Sequence, residues 1–88
     1  MQSITIDSNE KLESFMQWFS TLNFADKSAI MVGINNSIAY QRSNGKSEYM
    51  LLALKNWCGM NMTVGAELCN PTLEMFDHFY STTIAHLN

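Results

Sequence analysis

The residues SAIMVGINNSIAYQR, numbers 28–42, fit two conformations, and the architecture turns on which one they adopt. As a helix the segment carries apolar residues all the way round and holds Gly33-Ile34-Asn35-Asn36-Ser37 in its middle. As a hairpin it has two β-rich runs flanking Asn35-Asn36, and asparagine tolerates the positive φ that a two-residue turn requires. Ile30, Val32 and Ile34 then share one face, and so do Ile38 and Tyr40. The pattern favours the hairpin.

Outward from this segment, Gln2 to Ile6 alternates in polarity and reads as a short strand. Asp7 stands three residues before Glu10 in a spacing like a capping box. Leu12, Phe15, Met16, Phe19 and Leu22 follow at helical spacing, which predicts a helix from about Ser8 to Leu22 with Trp18 on the edge of its stripe. Ser43-Asn44-Gly45-Lys46 reads as a turn, and Ser47 can cap a helix running to about Cys58. In that helix Met50, Leu51, Leu54, Trp57 and Cys58 face inward, while Tyr49, Leu52 and Lys55 face out.

Met60 to Leu68 alternates strictly between apolar and polar residues and is the strongest strand signal in the chain. Asn70-Pro71 then reads as a cap with proline at the first helical position. A last helix runs to about His86 on the stripe Leu73, Phe76, Tyr80, Ile84 and Leu87. The order strand, helix, hairpin, helix, strand, helix predicts an α+β fold, a βαββαβ (ferredoxin-like) sandwich with an added C-terminal helix. The alternative is an all-α four-helix bundle, with 26–41 helical and 60–68 irregular.

At 88 residues the chain has room for a single compact domain, 1–88. Only 15% of its residues are charged and 47% are hydrophobic, whereas a soluble domain usually carries about a quarter charged. A small domain also has proportionally more surface to cover, so some large apolar side chains are expected outside. The formal net charge of −3 disfavours a generic nucleic-acid binder, because phosphate neutralisation dominates that affinity. The one basic spot is Arg42, Lys46 and Lys55 around the Asn44-Gly45 turn, which would serve a nucleic-acid-associated regulator. The exposed face of the expected sheet offers no aromatic platforms for RNA bases.

Candidate chemistry is sparse. Glu74, Asp77, His78 and Ser81 share one face of the last helix, and Glu74 with His78 has the types and spacing of an acid–base pair or two metal ligands. That face lies opposite the apolar stripe and reads as ordinary solvated surface. Cys58 and Cys69 match neither a redox pair nor a zinc knuckle and read as buried apolar residues of a reduced protein. Asn35 and Asn61 each begin a glycosylation triplet, which carries no weight without a secretory signal. The chain has no nucleotide-binding, metalloprotease or serine-hydrolase motif, so neither a catalytic residue nor a cofactor is expected. No apolar run approaches the ~18 residues of a membrane span, and a cytoplasmic protein is expected.

What remains is contact. Trp18, Tyr49, Leu52, Met75, Phe79 and His86 are the candidate anchors, of types enriched in interface cores together with the chain's seven methionines. The expected function is a non-enzymatic interaction module that binds a protein partner and self-associates as a dimer through its last helix. Short, motif-free chains with few charges also suit host-interaction or inhibitor proteins of phages and mobile elements.

Overall fold

A computed structural model describes residues 8–45, 49–65 and 69–87, with residues 86 and 87 as backbone alone. Its regular elements are four helices: α1 (Asn9–Thr21), α2 (Phe24–Ser43), α3 (Tyr49–Val64) and α4 (Leu73–Leu87). Among the described residues there is no strand, so the α+β sandwich gives way to the all-helical alternative. The expected strand at Gln2–Ile6, the Ser47 cap and Lys46 lie outside the described residues.

The first helix falls where its stripe places it. Ser8 adopts an extended conformation and its hydroxyl accepts a hydrogen bond from the Lys11 N–H at 3.2 Å, satisfying one orphan donor of the first turn. Leu12, Met16 and Phe19 are buried, with Phe15 and Leu22 packed partly beside them.

The hairpin expected over 28–42 is instead the interior of α2. Asn23 caps this helix, its Oδ1 accepting from the Asp26 N–H at 2.8 Å. Gly33, Ile34, Ser37 and Ile38 are buried, with Ile30 and Met31 half-buried on the same side; this is a helical repeat. Asn35 and Asn36 face solvent instead of turning the chain. Gly33, Asn35 and Asn36 together cost a helix roughly 2 kcal/mol against alanine. Burying Ile34 and Ile38 stabilises by about 1.5–3 kcal/mol each, so packing overrides the local turn preference. The helix ends at Gly45, whose φ of +68° suits glycine and whose N–H donates to the Arg42 carbonyl at 3.1 Å.

The strand expected at 60–68 also fails. Residues 60–64 complete α3, Gly65 closes it with a φ of +98°, and residues 66–68 lie outside the described set. Alternation assigned the wrong sides. Met60 and Val64 are exposed, while Asn61, expected to face solvent, is buried. Its Oδ1 accepts from Lys27 Nζ at 2.7 Å and its Nδ2 donates to Ser20 Oγ at 3.2 Å. A polar group so paired escapes the penalty of an unmet hydrogen bond, so an asparagine occupies a place that period-two reasoning reserves for an apolar residue.

In α4 the cap is Thr72 rather than Asn70: its hydroxyl accepts from the Met75 N–H at 3.3 Å, and its carbonyl accepts from the Phe76 N–H at 3.0 Å. The inward face is also rotated from the expected stripe, because Thr83 is buried and Tyr80 reaches solvent. Thr83 Oγ1 donates to the Phe79 carbonyl at 2.8 Å and accepts from Asn56 Nδ2 at 3.0 Å, which ties α4 to α3.

Trp57 on α3 lies in the centre of the core. It meets Phe19 of α1 edge-on, with ring centroids 5.7 Å apart, and shares the interior with Leu12, Met16, Ile34 and Leu54. No helix among the described residues is long and apolar enough to cross a membrane.

Candidate functional site

The residues expected to form sites are scattered over the molecule. Trp18 is exposed on α1, where it meets Phe15 edge-on at 5.8 Å. Tyr49 is exposed at the start of α3, whereas Leu52, Met75 and Phe79 are half-buried and pack on the core. The second ridge of α4 is therefore largely an inward feature. The side chain of His86 lies outside the described residues. Arg42 is exposed in the last turn of α2 and Lys55 is half-buried in the middle of α3.

Glu74 and His78 come together. With Asn70, Thr72 and Met75 they line a shallow hollow of about 470 Å³ at the start of α4. Both are exposed, and no group of three or more His, Cys, Asp or Glu among the described residues is placed to hold a metal. A second open groove, of about 510 Å³, lies where α2, α3 and α4 meet; Met31, Met60 and Phe79 line it together with Lys55, Asn56 and Thr63. The argument against RNA from a bare sheet face has no object here, because the described residues form no sheet.

The interior holds the strongest electrostatic features. Ser20 of α1, Lys27 of α2 and Asn61 of α3 form one hydrogen-bonded chain, with the Lys27 ammonium 5.5 Å from the centroid of the Phe19 ring. Cys58 and Cys69 are buried free thiols. Burial pushes both thiols up from their ordinary range, an effect that the nearby Lys27 charge opposes. Such thiols remain protonated at neutral pH and are inert as nucleophiles. This network ties three helices together, and none of its three residues lines the hollow or the groove.

The distinctive surface is the outward side of α2. Phe24, Tyr40 and Val32, 69%, 57% and 51% exposed, are the three most exposed large apolar side chains among the described residues. At about 100° per residue, Val32 lies near the middle of this face, with Phe24 on one border and Tyr40 on the other. Ala25, Ala29, Asn36, Ala39 and Ser43 fill the space between and are all exposed. Among the described residues of α2 the charges bordering this arc are Asp26 and Arg42, at opposite ends of the helix and on opposite borders. A surface helix ordinarily turns its charged residues outward; α2 turns apolar and small ones.

None of Phe24, Val32 and Tyr40 was expected as a contact residue. The signal for them is the feature that told against a helix over 28–42, apolar residues on every side. Comparison of the chain with protein-family models, with curated proteins and with solved structures finds no match.

Proposed function

We propose that this chain is a non-enzymatic helical module that works by protein–protein contact, with the outward face of α2 as its contact surface. One observation carries the reading: three large apolar side chains stand exposed along one side of α2, with Asp26 and Arg42 only at its borders. Leaving such area in water is costly, at roughly 25 cal/mol per Å², and large apolar side chains exposed on one side of a helix favour a contact surface. Aromatic anchors set among small residues match the composition of interface cores. Asn35, Asn36 and Ser43 supply hydrogen bonds around them without electrostatic steering.

The test is a photo-crosslinking amino acid placed at Val32, with Glu13 of α1 as the control position, in the full chain expressed in cells. The reading predicts defined protein adducts from position 32 and none above background from position 13. Equal yields from the two positions would overturn it.

A further inference from the structure

We propose that the open groove between α2, α3 and α4 binds a small amphipathic carboxylate, an unbranched apolar chain ending in a single negative charge. The site is independent of the outward face of α2. It rests on a mid-helix glycine that the fold does not require and on a positive charge with no counter-charge beside it.

Gly59 stands in the middle of α3, where glycine is the poorest helix former after proline. Packing does not call for it, since a Cβ there would meet no atom within 4 Å outside its own stretch of helix. Its backbone does not call for it either, because its φ is not positive. What lies over it is the groove, of about 510 Å³, within the ~300–1,000 Å³ of small-molecule sites. A glycine lets a ligand lie against the helix backbone where a side chain would otherwise stand.

The charge is Lys55, half-buried one turn before Gly59 and the only charged residue of the groove's described lining. Next to it, Asn56 donates one amide hydrogen to Thr83 Oγ1 at 3.0 Å, which leaves the second for a ligand oxygen. The far end differs. Thr63 lies about 12 Å beyond Lys55 along the axis, and its hydroxyl donates to the Gly59 carbonyl at 2.8 Å. Thr82 likewise donates to the His78 carbonyl at 2.9 Å. Both hydroxyls therefore present only lone pairs, which repel an anion.

Between the two ends Met31, Met60 and Phe79 supply the apolar contact, and methionine conforms readily to a flexible chain. The groove is thus polarised: the carboxylate belongs at Lys55 and the tail runs over Gly59 toward Thr63. A single ammonium acts as a point charge and suits a monoanion, whereas a phosphate group calls for several donors.

Calorimetric titration of the full chain with octanoate tests this, with octanol as the uncharged control. The site predicts one-to-one binding of octanoate with a dissociation constant on the order of 100 μM, and octanol weaker by about fivefold or more. Lys55→Gln should weaken octanoate by a similar factor and remove the preference over octanol. Gly59→Leu should abolish binding while the melting temperature stays level or rises, because leucine is the better helix former. Val32→Glu, on the outward face of α2, should leave binding unchanged. No binding up to about 1 mM, equal affinity for octanoate and octanol, or unaltered binding in Lys55→Gln or Gly59→Leu would each overturn the proposal. Loss of binding in Val32→Glu would place the ligand on the α2 face and overturn it as well. Should Gly59→Leu fail to fold, the Lys55→Gln comparison decides alone.

Discussion

The junction of α1, α2 and α3 and the outward face of α2 invert the usual arrangement of a small domain. The junction buries polar groups, Asn61 with Ser20 and Lys27, and the outer face exposes apolar ones, Phe24, Val32 and Tyr40. The two differ in whether the anomaly is resolved within the chain. Every polar atom of the Asn61 side-chain amide that departs from expectation has a partner on another helix, which makes the network structural. The apolar side chains of the outer face are half or more exposed among the described residues, which supports the reading of that face as a contact surface. Substitutions should therefore divide sharply: those in the interior change stability and those on the face change association.

The interior sets the scale. Trp57→Ala removes the largest fully buried side chain and should cost about 3–5 kcal/mol, a large share of the 5–15 kcal/mol available to most domains. A denaturant titration followed by circular dichroism measures it. Asn61→Ala should cost about 1.5–3 kcal/mol, because it leaves the half-buried Lys27 ammonium without its acceptor. If that variant is as stable as the native chain, the polar network does not tie the helices.

Alkali tests the interior in a different way. Burial raises the Cys58 thiol, and Cys69 shifts in the same direction, so the folded chain retains protons that the unfolded chain releases from about pH 8.5–9. Stability is therefore complete below that pH and falls above it, by up to about 1.4 kcal/mol per pH unit per thiol. Urea titrations from neutral pH to pH 10 should show this fall, and Cys58→Ala should make it shallower. The smallest expected effect on stability is that of Val32→Glu: within about 0.5 kcal/mol, as for surface substitutions generally, while capture of a partner by this face falls.

The amphipathic helices were the legible part of the fold. Leu12, Met16 and Phe19 repeat at helical spacing and are the buried face of α1. In α4, helical spacing located the helix but missed its start and its rotation, because a threonine at 72 caps it and a threonine at 83 is buried. Polarity alone reveals neither role. Residues 60–64 were misread because Asn61 is inside and Met60 and Val64 are outside, the reverse of what alternation implies. Residues 28–42 were misread because a turn-forming Asn-Asn pair was weighed above the burial of Ile34 and Ile38. The second error concealed the candidate site, since a hairpin places Val32 beside Ile30 and Ile34, where a helix turns it away from both.

Photo-crosslinking from Val32 in the full chain expressed in cells, with Glu13 of α1 as the control position, tests the central claim most directly. The account predicts defined protein adducts from position 32 and none above background from position 13. Equal yields from the two positions, or adducts confined to a probe in the groove lined by Met31, Met60 and Phe79, would contradict it.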